Sequence, residues 1–234
     1  MDGSVHRAEP QEYGESEARK SSVDVLVSEL VHGLYDGQFK PGQKLVESEL
    51  AQRFGVGRGS IREALRRLEA EGFVTVSLHR GASIKIFDRD GARDTLEITA
   101  ILAGMAARLA AQRLGSTHDA RELRECADLI EKATENQDHA GKADARYKFF
   151  RSLAALSQNR EFLRLIPRYD ASVIRNQFRE AFDADDDRKD ALRYRRVVDS
   201  ILARDATGAE ANIQAIIQGS SLAIQRLPDS YFAK

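Results

Sequence analysis

Cysteine, tryptophan and methionine are scarce in this chain of 234 residues, with one Cys, no Trp and two Met. The single cysteine, Cys126, excludes an internal disulfide and fits a reducing compartment, so a cytoplasmic location is expected. Five histidines occur, yet residues 141–234 hold neither histidine nor cysteine. Hydrolytic or redox catalysis would want a histidine, a reactive thiol or a glycine-rich nucleotide loop. His118 and His139 fall in expected surface turns, Cys126 falls in an expected core and no such loop occurs, so no enzyme is expected. No stretch is long and uncharged enough to span a bilayer, and the N-terminus lacks a signal peptide's apolar core. Neither sign of charge is in excess. The chain has 36 basic and 37 acidic residues, and residues 21–88 balance nine against nine. A nucleic-acid signal, if there is one, must lie in local patterning.

What is present suits two modest globular domains, at 42% hydrophobic and 31% charged. Residues 1–20 are polar and nearly free of aliphatics, which reads as a disordered arm. Ser21 or Ser22 then caps a helix with the stripe Val23, Leu26, Val27, Leu30 and Leu34. Residues 45–68 read as two short helices around a glycine-bearing turn. The first carries Leu50, Ala51 and Phe54 inward, and the second carries Ile61, Leu65 and Leu68. Gly55 and Gly57 bracket Val56, giving the freedom and the apolar plug of a helix–turn–helix. The outer face of the second helix bears Arg58, Arg62 and Arg66 one turn apart, an arrangement suited to guanine edges and phosphates in a major groove. A plainer reading is a solvated helix hairpin inside a larger bundle. The next residues argue against it: Phe73–Val76 and residues 83–87 read as a two-stranded ribbon whose tip, at His79, Arg80 and Gly81, can reach sugar-phosphate or a minor groove.

The run from Pro41 through Leu68 to the Arg80-Gly81-Ala82 tip resembles the winged-helix head of GntR-type transcriptional regulators, over about residues 23–87. That resemblance implies that Arg58 and Arg62 read bases and phosphates, with Gly59 and Ser60 on the same helix and Arg80 and Gly81 at the wing tip. Ser48 stands where some members carry a phosphate-binding arginine, and Gly57 and Gly59 stand where hydroxyl residues are usual.

The head is assigned to residues 21–88 and a polar hinge to 89–91. Residues 92–228 are assigned to an all-α bundle of about six helices. A helix over 94–114 is apolar on most faces and reads as the buried middle of that bundle. Ser116 to Asp119 reads as a capping box, and Pro167 should kink or restart a long helix over 160–182. The fold class is therefore mainly α, a winged helix followed by a helical bundle. The bundle resembles the FCD ligand-binding domain of FadR-like GntR regulators, through residues 97–111, 149–159 and 197–206.

FCD domains commonly hold a divalent metal with one aspartate and three histidines. The resemblance maps those positions to Arg146, Phe150, Tyr194 and Ile216, and the family's cavity arginine to Thr99. A guanidinium, a phenyl ring and an aliphatic chain cannot ligate zinc or nickel, so neither metal nor cofactor is expected. Two readings stay open. Phe150, Tyr194 and Ile216 fill the core while Arg146 reaches solvent, or they line a more apolar pocket where Arg146 pairs with the anionic end of an effector. The expected function is a dimeric, ligand-responsive regulator of a palindromic operator, a repressor by resemblance. The alternative is a DNA-binding dimerisation scaffold that senses nothing.

Overall fold

A computed structural model describes residues 22–35, 38–77, 81–115, 120–165 and 171–232. Residues 1–20, His79, Arg80, the 116–119 cap and Pro167 lie outside them.

The head opens with α1 (Ser22–Tyr35), then β1 (Lys44–Leu45), α2 (Glu47–Phe54), α3 (Arg58–Ala70), β2 (Val74–Ser77) and β3 (Gly81–Ile84). The stripes meet as expected: Leu26, Val27, Leu30 and Leu34 of α1 share one core with Leu50, Ile61, Leu65 and Leu68. Between α2 and α3, Gly55 takes φ 65° and its N–H donates to the Ala51 carbonyl. That left-handed C-cap is a conformation glycine adopts without a Cβ penalty.

The wing is a three-stranded sheet, where two strands were expected. The order is β1-β3-β2, all antiparallel, with Lys44 opposite Ser83 and Val74 opposite Ile84. Two residues are too few to show alternation, so β1 left no periodic signal.

The second domain contains α4 (Arg89–Arg113), α5 (Arg121–Glu135), α6 (His139–Leu156), α7 (Arg160–Leu165), α8 (Ala171–Gln177), α9 (Ala184–Leu202) and α10 (Ala206–Gln225). Seven α-helices are thus described where about six were expected: within 160–182 the described residues form α7, α8 and a 3-10 turn at Arg179–Ala181. The hinge assignment also changes. Residues 89–91 are the first turn of α4, since the Asp88 carboxylate accepts from the Gly91 N–H and starts the helix there. The non-helical connector is residues 85–88.

The same device recurs: Asp138 caps α6 onto Gly141, and Asp205 caps α10 onto Gly208. A Cβ on either glycine would collide with the capping carboxylate.

The expectation that α4 is buried on most faces is corrected too. Its alanines Ala92, Ala100, Ala103, Ala106, Ala107, Ala110 and Ala111 are buried, while Ile98, Ile101 and Met105 face outward at 44%, 66% and 39% exposure. The alanine face and Gly104, packed on Gln214, let α10 approach closely. Among the described residues, no helix is long and apolar enough to cross a membrane.

Candidate functional site

Two places carry chemistry, the outer face of α3 and the interior of the bundle. Burying Ile61, Ala64, Leu65 and Leu68 turns Arg58, Gly59, Arg62 and Arg66 outward, with Ser60 half-buried between the faces. Gly57 caps α3 without a side chain, leaving first-turn N–H groups for an anion such as a phosphate. Ser48 on α2 and Gly81 at the start of β3 are exposed.

Arg62 is not idle, for its Nε donates to Glu47 Oε2 at 2.8 Å. Two other arginines of the segment are structural. Arg67 turns back onto Asp24 of α1 and also donates to Glu71 at 3.3 Å. Arg53 lies over the rings of Phe39 and Phe54 at 5.2 and 5.4 Å.

Inside the bundle, Lys142 and Arg146, one turn apart on α6, converge with Arg175 of α8 on Asp187 and Asp190 of α9. Lys142 bonds Asp187 directly, Arg146 and Arg175 reach the other Asp187 oxygen at 3.6 and 3.5 Å, and Arg175 meets Asp190 at 2.9 Å. Arg175 also donates to Ser220 Oγ and lies 3.9 Å from the centre of the Phe182 ring. Among the described residues, Arg146 Nε and Nη2 and Arg175 Nε have no hydrogen-bond partner despite full burial. Arg146 and Arg175 line a cavity of about 50 Å³ with His139, Asn176 and Arg179. A groove of about 400 Å³ adjoins it, sharing His139, Lys142, Phe182 and Asp187.

Arg193 also pairs with Asp190 at 3.1 Å from its more exposed side, so four cations meet these two carboxylates. Burial pushes Arg175 down to about 10, and the neighbouring Arg146 charge adds to the fall. Burial likewise lowers Lys142, more than its bond to Asp187 raises it, and Arg146 pushes the same way. Burial alone would raise Asp187, but the Lys142 hydrogen bond and the charges of Lys142, Arg146 and Arg175 hold it below the usual carboxylate range. Burial is the largest cause for all three groups, and only at Asp187 do the neighbouring charges outweigh it.

Residues 23–84 match the family described as bacterial regulatory proteins, gntR family, and residues 94–219, more than half of the chain, match the FCD domain. The chain belongs to the GntR regulators with an FCD domain. It is a DNA-binding transcriptional regulator and not an enzyme. The Nta operon transcriptional regulator of Aminobacter aminovorans is 35% identical over 131 residues, covering 55% of this chain and 60% of that one. An uncharacterized HTH-type transcriptional regulator of Mycobacterium tuberculosis is 28% identical over 224 residues, covering 88% and 89%. The structure of E. coli McbR/YncC matches in fold, with a TM-score of 0.74 at 21% identity, covering 86% of this chain and 96% of that one.

For this GntR regulator the FCD metal positions can now be tested by their donors. Tyr194 is buried, edge-on to Phe149 at 4.9 Å and to Phe150 at 6.4 Å, and Ile216 is core. Phe150 is half-buried on that aromatic cluster. These residues do not fit a divalent ion, which needs lone-pair donors converging on one point. Among the described residues, no three His, Cys, Asp or Glu side chains group to hold a metal.

Of the five mapped effector residues, Arg146 lines the cavity. Thr99 is buried and donates to Thr95 O, while Tyr194 and Ile216 lie in the apolar core, Phe150 packs against it, and none of the three lines the cavity. The surroundings of Arg146 are thus ionic, where a more apolar pocket was one of the two expectations.

Sequence reading missed Lys142, Arg175, Asp187 and Asp190. Two of them were legible. Lys142 precedes Arg146 by one turn, and Asp190 sits in register with the buried stripe Tyr194, Val197 and Ile201 of α9. Arg175 carried no such mark, because its helix was read as part of a longer one.

Proposed function

We propose that this regulator is a cytoplasmic homodimer that represses from a two-fold operator, and that a small anionic effector, taken without a metal, sets its DNA affinity. The observation that carries the effector reading is Arg146, a buried guanidinium beside a cavity whose Nε has no hydrogen-bond partner and whose Nη2 comes no nearer than 3.6 Å to Asp187. Leaving buried charged donors unmet is costly, and a carboxylate is their natural forked partner. With Arg193 also on Asp190, four cations meet two carboxylates, and a carboxylate head would offset part of the excess, its body lying in the adjoining groove. For the homodimer, the support is the outward stripe Ile98, Ile101 and Met105 of α4, an apolar ridge at i, i+3, i+7 that a second copy would cover. A symmetric pair presents two copies of α3 to half-sites about one DNA turn apart.

The test is thermal unfolding with and without sodium hexanoate, sodium benzoate and sodium succinate, with 1-hexanol as uncharged control, alongside binding to an operator selected from random duplexes. Carboxylates should raise Tm and change operator affinity, and Arg146→Ala should remove both effects. If no carboxylate moves either quantity, the bundle is a dimerisation scaffold that senses nothing. The small cavity and the Lys142–Asp187 bond already made within it favour that second reading.

A further inference from the structure

Helix α8 is seven residues long, and its last three face three different parts of the molecule. Arg175 enters the cationic pocket, where it meets Asp190, Ser220 and Asp187. Asn176 donates from Nδ2 to the Leu34 carbonyl in the last turn of α1, one of the carbonyls a helix end leaves without an intrahelical partner. Gln177 closes a two-way bond with the connector: the Phe87 N–H donates to its Oε1 at 2.8 Å, and its Nε2 donates to the Phe87 carbonyl at 2.7 Å. A helix turns 100° per residue, so three consecutive side chains on a short rigid rod can serve a pocket, a head helix and a connector at once.

We propose that α8 is the coupling element of this regulator, with Arg175 as its effector-side residue and Asn176 and Gln177 as its hold on the DNA head. The proposal rests on the anion reading of the pocket for its ligand, but not for its mechanics. Without effector, Arg175 is shared among internal acceptors, with its Nε unmet. An anion in the cavity offers that guanidinium a further partner. Any resulting shift of Arg175 carries the helix with it, because Arg175 and Gln177 lie within one turn. The bonds at Leu34 and Phe87 then move, and with them the angle between head and bundle. An effector influences DNA only through such a difference between states, and the influence is reciprocal. Arg175, Asn176 and Gln177 are all absent from the effector positions that the FCD resemblance maps.

The test uses the full chain and begins with no ligand. Arg175→Gln should raise amide hydrogen exchange at Phe87 and in the last turn of α1 by several-fold, with α5 unchanged, and shift operator affinity by three-fold or more. In an Asn176→Ala/Gln177→Ala background, which cuts both holds on the head, the same substitution should leave operator affinity where the double substitution alone puts it. Arg175→Lys keeps the charge but loses the fork, and gives the same readout if Gln at this position does not fold. Unchanged exchange at Phe87 in both Arg175 variants overturns the coupling, whatever the pocket binds. Sodium hexanoate then separates the two claims. It should raise Tm in wild type and in Asn176→Ala/Gln177→Ala alike, yet alter operator affinity in wild type only. A Tm rise with an intact DNA response in the double variant sinks the coupling and spares the anion site. No Tm rise in either, with the exchange result intact, sinks the anion site and spares the coupling.

Discussion

Arg62 already has a partner before any DNA arrives, so on the proposal that it reads a base, Glu47 and that base would compete for one guanidinium. The Arg62–Glu47 pair is solvent-facing, at 61% and 36% exposure, and such pairs are worth about 0–1 kcal/mol. A forked contact to a guanine edge is worth about 1–3 kcal/mol, so on that proposal the base would outcompete Glu47. Arg62→Ala should therefore cost about 1–3 kcal/mol of operator binding, measured by titration at fixed salt. Glu47→Gln should tighten binding to every duplex, since it frees Arg62 and removes a negative charge near phosphates. Unchanged operator affinity in Arg62→Ala would mean the reading face lies elsewhere. Asp187 sets an acid limit of another kind. Its carboxyl is held below the unfolded value, so its contribution is complete above the ordinary aspartate pKa of about 3.9 and fades as pH falls through the lower folded value. Asp187→Asn should lower Tm at neutral pH and flatten the loss of stability below about pH 4, followed by circular dichroism.

Among the elements, short polar punctuation matters as much as apolar stripes. The turn between α2 and α3 depends on Gly55 at φ 65°, where an added Cβ meets no neighbour but the backbone remains left-handed. Gly55→Ala should thus cost about 1–2 kcal/mol by urea unfolding. Gly57→Ser restores a side-chain cap in open space at an extended backbone angle and should gain a few tenths of a kcal/mol. A loss of stability in the serine variant would show that the turn is tighter than its geometry implies. The stripes of α1, α2 and α3 were legible because burial on one face repeats every three to four residues. So was the turn, because glycine there has a stereochemical meaning. β1 was not, being two residues long and stabilised by tertiary pairing alone. An interruption of the helix over 160–182 was legible from Pro167, whose ring and missing N–H do not suit a helix interior. The cavity was half legible: alignment to FCD positions found Arg146 but otherwise named residues that do not line it, because a metal site's geometry says little about the chemistry that replaces it. The head-facing bonds of Asn176 and Gln177 join residues 142 and 90 positions apart, a separation at which single-sequence pattern is silent.

At the scale of the molecule, the outward ridge on α4 carries the dimer prediction. Ile101 is 66% exposed in the monomer, so Ile101→Glu should leave Tm of the monomer nearly intact while sedimentation shows half the wild-type mass. A dimer that survives this change would place the interface on another face. Elemental analysis of untagged protein should find no stoichiometric zinc, nickel or manganese, and chelator should leave the melting curve unmoved. One metal per subunit would mean that carboxylates outside the mapped positions bind it.

The way the bundle closes has a further consequence. Arg89, the first residue of α4, donates to the carbonyls of Gln225 and Leu227 at 2.6 Å each and to Asp229 at 2.9 Å. The chain therefore enters and leaves this domain at one spot. A domain whose doorways coincide can be grafted into a loop of an unrelated protein without stretching its host, and circularly permuted by joining the two ends. On this geometry the bundle is a portable cassette, and the same shape could be spliced to other heads by evolution or by hand.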